Sequence, residues 1–133
     1  NVRIGFMEAG VSWLQTCLER FDRSWETHIQ YDPRKEYLQL KPGEKVSDYI
    51  RRHIEAGRIF VGCEGTEKGL HHLVEAVGNK PFMFSSDYPH EVNNEYCKHE
   101  IEEIIENEHL TDDDKHAVLH RNAERFYGLK PLG

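Results

Sequence analysis

Three acidic residues each follow directly after a short apolar run, and these positions are the best candidates for chemistry in the sequence. They are Glu8, Glu64 and Asp87. If the apolar runs are parallel strands, the three carboxylates lie at the carboxyl edge of one sheet, where α/β proteins place their active sites. Carboxylates that converge at such an edge can bind a divalent cation or transfer protons.

Glu8 and Glu64 also admit a structural interpretation, because each precedes a predicted helix by only a few residues. A carboxylate at that place stabilises the helix by accepting from its free N–H groups and by opposing its dipole. The sequence leaves both interpretations open for these two residues. Asp87 differs because Tyr88-Pro89 follows it, and the proline favours a sharp turn that holds the carboxylate over the strand end. We therefore predict a functional role for Asp87.

Histidine is the other residue type that could take part in metal or proton chemistry. His90 lies in the turn just described, where it is predicted either to contact a ligand or to stabilise the turn. His71-His72 is a neighbouring pair on a predicted helix, so its two rings point to different faces. His116 and His120 are spaced i, i+4 without an H-E-x-x-H pattern around them, and we predict that both are solvated.

The apolar periodicity places these residues on an alternation of strands and helices. The predicted strands cover residues 2–7, 58–63 and 81–86. The predicted helices start at Ser12 (in a capping box with Gln15), at Ser47, at Thr66, shortly after His90 and at Thr111, and glycines end three of them at Gly57, Gly78 and Gly128. Residues 31–46 are predicted to form a long loop. This order of elements is typical of parallel strands joined by right-handed crossovers, so we predict an α/β fold.

Size, charge and composition narrow the classes of function. At 133 residues with 38% apolar residues, the chain can form one domain, residues 1–133, with a modest core. The net charge of −7 argues against a nucleic-acid binder, since phosphate affinity requires a surplus of Lys and Arg. No apolar run approaches the roughly 20 residues of a membrane span. The cysteines Cys17, Cys63 and Cys97 lie far apart, which favours reduced thiols and a cytoplasmic location.

The segment Ser86-Asp87-Tyr88-Pro89-His90, after an apolar strand, resembles the signature of the amidohydrolase-2 family. These are barrel enzymes related to the aminocarboxymuconate-semialdehyde and resorcylate decarboxylases. Three further blocks in family order are similar to the family's sixth strand and helix, to its segment before strand seven and to its closing helix. They are residues 5–22, 47–52 and 122–129.

This resemblance implies a fold, a cofactor and roles for the candidate residues. The chain resembles the last three strand–helix units of a (β/α)8 TIM barrel, the C-terminal part of an amidohydrolase-type domain. Asp87 matches the family's metal ligand at the end of strand eight, and the intact family uses a divalent metal, with zinc the expected ion, on small-molecule substrates. We expect Asp87 and Glu8 to be catalytic and His90 and Glu64 to contact the substrate.

The chain also departs from the family pattern. The family's metal-binding pair on strand one and its histidine on strand five have no counterpart here, and Phe6-Met7-Glu8 stands where the decarboxylases have a catalytic histidine. We therefore expect a partial metal-dependent hydrolase or lyase domain that is inactive by itself. We leave open whether these residues bind a metal without the rest of the family's ligands. The alternative is a non-catalytic domain that oligomerises or binds a partner. Three strands leave two unpaired edges, and proteins usually cover such edges. We therefore expect that a homo-oligomer or the remainder of a longer chain covers them.

Overall fold

The sheet has three parallel strands, with the second strand at its centre. The computed structural model describes residues 2–28, 34, 36 and 38–131. The strands are β1 (Ile4–Phe6), β2 (Ile59–Cys63) and β3 (Phe82–Phe84), in the order β1-β2-β3. Ile4 lies opposite Ile59 in the first pair, and Val61 lies opposite Phe82 in the second. The predicted α/β class and the parallel pairing are confirmed, although β1 and β3 are shorter than predicted.

Six α-helices and one π-helical turn accompany the strands in the described part of the chain. They are α1 (Ser12–Thr27), α2 (Val46–Glu55), α3 (Leu70–Val77), α4 (Asn94–Glu106), α5 (Asp112–His116), the π-turn (Ala117–Arg121) and α6 (Asn122–Tyr127). The predicted last helix is thus three pieces, because the Asn122 N–H donates to the Ala117 carbonyl five residues back. The predicted loop at 31–46 lies partly outside the described residues. No helix among those described is both long and apolar enough to cross a membrane.

The core forms where the helices pack on the sheet, and β2 lies at its centre. From Phe60 to Cys63 the strand is fully buried, because helices cover its faces and a strand pairs with it on either side. Helices α1 to α4 and the π-turn contribute apolar residues to the core. The buried members are Leu14, Leu18, Ile54, Leu70, Leu73, Val74, Ile104 and Val118. Strand β1 differs because all of its residues are exposed or only partly buried. The packed region therefore supports β2 and β3 firmly and leaves β1 at the surface.

Helix α1 begins at Ser12 as predicted, but the predicted capping box is absent. The Ser12 side chain makes no capping hydrogen bond, and Val11 is the N-cap residue. Gln15 donates to a neighbour on the same helix instead of reaching back. The capping acceptor comes from another element, because Glu67 Oε2 accepts from the Val11 N–H at 2.7 Å. A tertiary carboxylate has replaced the local capping box.

The predicted starts of α2 and α3 are wrong. Helix α2 begins at Val46, and Ser47 lies inside its first turn. Ser47 donates through its backbone N–H and its Oγ to the two carboxylate oxygens of Asp22, at 2.8 and 2.7 Å. Helix α3 begins at Leu70 rather than Thr66, after a non-helical turn. The predicted cap at Thr111 and the predicted ends at Gly78 and Gly128 are confirmed.

Candidate metal centre

The carboxyl ends of all three strands meet around one small cavity. Its volume is about 10 Å³, and its lining comes from the segments that follow each strand: Glu8, Gly10, Gly62, Cys63, Glu64, Glu67, Ser85 and Asp87. The predicted acids Glu8, Glu64 and Asp87 therefore share one edge of the sheet. A space of this size holds about one water molecule or a bare ion and excludes an organic molecule.

Two of these acids and the histidine of the turn form a group of potential metal ligands. One carboxylate oxygen each from Glu8 and Asp87 and one ring nitrogen of His90 all lie within 4.8 Å of one another. His90 Nδ1 is 3.2 Å from Asp87 Oδ1. Asp87 is half-buried, whereas Glu8 and His90 are exposed. Two oxygen donors and one nitrogen donor thus converge at the strand ends.

The backbone holds both acids in an unusual conformation. Glu8 has a φ of 59° and Asp87 a φ of 54°, both in the left-handed region that favours glycine. Such residues cost about 1–3 kcal/mol each and cluster at functional sites. The turn after Asp87 is closed by a hydrogen bond from the His90 N–H to the Asp87 carbonyl at 3.0 Å. That bond brings the imidazole back over the carboxylate.

Glu64 has a different position from the other two acids. It is exposed at the same edge and is not a member of the ligand group. Its backbone N–H donates to Glu67 Oε1 at 3.0 Å, while the second oxygen of Glu67 accepts from Val11. Glu67 therefore joins the loop after β2 to the start of α1. The capping role considered for Glu8 at α1 belongs to Glu67, which the sequence analysis missed because this contact spans 56 residues, and the N-cap of α3 has no side-chain hydrogen bond.

Glu100 on α4 is a further residue that the sequence analysis missed. Its side chain is 1% exposed, and no hydrogen bond to its Oε2 occurs among the described residues. The helix lies so close to Gly65 that a β-carbon there would overlap the Glu100 backbone. A signal existed, because Glu100 follows Cys97 and precedes Ile104 at helical spacing on the apolar face of α4.

The carboxyl edge of the sheet, with Glu8, Glu64 and Asp87, is called the acidic edge below. Its negative charges affect the pKa of Glu100. Burial raises the pKa of its carboxyl above the ordinary value, and the negative charges of Glu64 and Asp87 act in the same direction. A cation at this edge opposes the same repulsion. Glu64 and Glu67 therefore add negative charge at this edge to that of the two candidate ligands.

Cys63 lies at the same edge but is not a candidate nucleophile. Burial raises the pKa of its thiol, and the charges of Glu67 and Glu64 raise it further. Its sulfur donates to the Met83 carbonyl at 3.5 Å. The thiol is therefore a buried neutral group, in agreement with its sequence-based interpretation as a core filler.

The donor set fits a divalent cation. Catalytic zinc commonly takes three protein ligands from histidine and carboxylates at about 2.0–2.2 Å in tetrahedral geometry, which places the ligand atoms about 3.3–3.6 Å apart. The atoms of Glu8, Asp87 and His90 lie within 4.8 Å of one another, so the widest separation in the group has to close by about 1 Å on binding. Glu8 and His90 are exposed, so rotation of their side chains can supply this movement.

Comparison with known proteins bears on the same residues. A family model described as amidohydrolase matches residues 1–129 of the chain, which includes every residue of the acidic edge. That family is generally metal-dependent. Comparisons with curated proteins and with solved structures gave no match.

Proposed function

The chain belongs to the amidohydrolase family, and from this premise we propose that it forms part of a metal-dependent hydrolase centre. The part is the one that the last three strand–helix units of the barrel contribute. The observation that carries the proposal is the convergence of Glu8, Asp87 and His90 within 4.8 Å at the carboxyl edge of a parallel sheet. The left-handed backbone conformation of Glu8 and Asp87 also supports it, because such conformations cluster at functional sites.

Each residue has a distinct role in this proposal. Asp87 is the metal ligand, since it is half-buried and held by the turn, and Glu8 and His90 complete the donor set. A bound divalent ion, with zinc the expected one, supplies a Lewis acid and an activated water. The second carboxylate oxygen of Glu8 or Asp87, the one that would not hold the metal, could accept a proton during the reaction. Glu64 is exposed at the same edge and is outside the ligand group, so we assign it to substrate contact.

The isolated chain is proposed to bind metal without turning over a substrate. The cavity at the acidic edge is about 10 Å³, which is too small for an organic molecule. The substrate class, a small carboxylate-bearing or cyclic compound, follows from the family resemblance.

Metal titration tests the ligand assignment directly. We expect the chain to bind Zn²⁺ or Mn²⁺ in calorimetry, and Asp87→Asn to weaken that binding by at least about tenfold, because losing even an outer-shell partner has an effect of that size. Asp112→Asn is the matched control, since Asp112 is an exposed aspartate on α5. Equal affinities for the wild type and Asp87→Asn would remove the basis of the proposal.

An activity assay tests the claim of inactivity. Lactone, amide and aromatic-acid substrates with saturating Zn²⁺ or Mn²⁺ are expected to show no turnover above the buffer rate. Metal-dependent turnover that Asp87→Ala abolishes would contradict the claim, because these 133 residues would then be sufficient for catalysis.

A second candidate function rests on strand β1. Val2, Ile4, Phe6 and Met7 expose 74%, 50%, 40% and 44% of their surface and lie in and beside the strand at one edge of the sheet. Such a segment is typical of an interaction surface. A non-catalytic domain that oligomerises or binds a partner through β1 would self-associate or capture that partner and would bind no metal. The metal titration therefore separates the two functions.

A further inference from the structure

A second and larger cavity lies at the opposite edge of the sheet from the candidate metal centre. Its volume is about 710 Å³, within the range of about 300–1,000 Å³ typical of small-molecule sites. Arg3 and Arg58 line it just before β1 and β2, and Arg121 and Arg125 line it from the π-turn and α6. We call this space the basic cavity.

The basic cavity concentrates positive charge in a chain of net charge −7. Its lining carries four arginines and one carboxylate, Glu124. Arg121 is paired with Asp113, 2.6 Å from its Oδ1. Among the described residues, no carboxylate oxygen lies within the 4.0 Å of an ion pair from Arg3, Arg58 or Arg125. Guanidinium groups arranged in this way are suited to an anionic ligand, because each can donate two parallel hydrogen bonds to it.

Two histidines extend the set of donors in the lining. His116 Nδ1 and His120 Nε2 are hydrogen-bonded at 2.9 Å. His120 Nδ1 is buried and makes no hydrogen bond among the described residues, although it lies 3.5 Å from Glu124 Oε1. His116 is exposed as predicted, whereas His120 is half-buried and lies against the Glu124 carboxylate. Nε2 of His116 is therefore the ring nitrogen that can donate to a ligand in the cavity.

The π-turn is an independent signal at the same place. It runs from Ala117 to Arg121, directly between His116 and α6. Single π-helical turns within α-helices are rare, and they occur frequently at functional sites. This one brings two histidines and Arg121 into the lining of one cavity.

We propose that the basic cavity is a binding site for a phosphate monoester. Arg58 and Arg125 would hold the phosphate oxygens, with Nε2 of His116 as an additional donor. The apolar lining residues Val2, Phe60 and Leu129 would contact the organic group of the ester. This site is separate from the acidic edge, which would repel a phosphate, so occupancy of one site does not require the other.

The test is calorimetric titration of the 133-residue chain with phenyl phosphate and with inorganic phosphate at low ionic strength. Phenyl phosphate is expected to bind at least about tenfold more tightly, because only the ester buries an apolar group of this size. Equal affinity for the two would exclude an ester site and leave a site for inorganic phosphate. No binding of either would overturn the proposal.

Three glutamine variants locate the site. Arg58→Gln and Arg125→Gln are each expected to weaken phenyl phosphate binding by about tenfold or more, the usual effect of losing a charged hydrogen bond. Arg20→Gln on α1 is the matched control, because Arg20 is exposed and does not line the cavity. Binding that all three variants weaken equally is nonspecific charge attraction and contradicts the proposal. Circular dichroism checks that each variant folds. If Arg58→Gln does not fold, Arg125→Gln tests the site by itself.

Discussion

At the scale of single residues, the acidic edge combines local strain with unbalanced charge. Glu8 and Asp87 both have left-handed backbones, and the carboxylate of Glu100 is buried behind them without a hydrogen bond to Oε2 in the described part of the chain. Neither feature stabilises the fold. Both are understandable if the edge binds a cation, since a positive ion relieves the repulsion among the carboxylates.

Glu100→Gln is expected to stabilise the metal-free protein above acidic pH, by about 1.4 kcal/mol for each unit by which folding raises the pKa of this carboxyl. The pKa of Glu100 is raised in the folded state, so the folded protein binds this proton more tightly than the unfolded chain. Stability contributed by the proton is therefore present at low pH and is lost as pH rises through the folded-state pKa. Glutamine does not titrate and removes this loss.

Urea unfolding with a chelator present, at pH values from 4 to 8 (about the range over which a raised carboxyl pKa acts), checks this expectation. The wild type and Glu100→Gln are expected to converge at the acidic end and to separate as pH rises. Glu102→Gln, an exposed neighbour on α4, should show no such separation. Parallel curves for the wild type and Glu100→Gln would contradict the assignment.

At the scale of elements, helix starts in this protein depend on side chains from other elements. Glu67 accepts from the N–H before α1, and Asp22 on α1 accepts from Ser47 in the first turn of α2. Partial burial acts to raise the pKa of Asp22, but the hydrogen bonds from Ser47 outweigh it and hold the pKa below its ordinary value. These contacts link helices whose packing positions the strands.

Asp22→Asn is expected to destabilise the protein by about 1 kcal/mol, the usual effect of a lost charged cap. Because the folded-state pKa of Asp22 is depressed, its contribution is present above the unfolded pKa and is lost as pH falls through the folded pKa. The difference from wild type should therefore shrink in acid. Chemical denaturation at neutral and acidic pH measures it. Glu19→Gln on the exposed face of α1 should cost only a few tenths of a kcal/mol.

Gly65→Ala is expected to cost more than about 3 kcal/mol, because backbone overlap adds to the cost of an overpacked core. A β-carbon at Gly65 would overlap the backbone carbonyl of Glu100, which cannot rotate away. Gly69→Ala is the matched control, since its β-carbon would meet Val11 at an ordinary 3.6 Å. Thermal unfolding of both variants is the measurement. Similar melting temperatures for the two would show that α4 does not press on this loop.

At the scale of the whole molecule, the protein has a well-covered side and an open side. Strand β2 is buried between its neighbours, whereas β1 forms an exposed edge with an apolar surface. Sheet edges of this kind associate with other chains unless something covers them. The predicted homo-oligomer or larger assembly stays a prediction, with β1 as the surface that would form it.

Sedimentation velocity at micromolar concentration tests this prediction. Self-association is expected for the wild type, and Ile4→Lys is expected to weaken it by about tenfold or more, since a charge at an edge strand opposes pairing. Ile105→Lys on α4 is the matched control, because Ile4 and Ile105 are 50% and 51% exposed. A wild-type monomer would contradict the prediction, and an equal effect of both variants would show that β1 is not the surface.

The sequence by itself determined the order of elements, the parallel α/β class and the acidic edge. Apolar runs of strand length followed by Glu8, Glu64 and Asp87 are local patterns, and parallel pairing then brings their ends together without further information. The ends of α3 and α6 and the cap at Thr111 were also predictable, since each depends on residues within one turn.

Only the tertiary structure decided which side chains meet across long sequence separations. Local patterns placed helix caps at Ser12 and Ser47, but Glu67 and Asp22 reach those helices from other elements. The basic cavity brings Arg3 and Arg58 to Arg125 from three distant segments. A residue's own neighbours in sequence carry local conformational preference, whereas the charge and burial around it arise from packing. The place of Asp87 at the end of β3 was therefore predictable, and its surroundings were not.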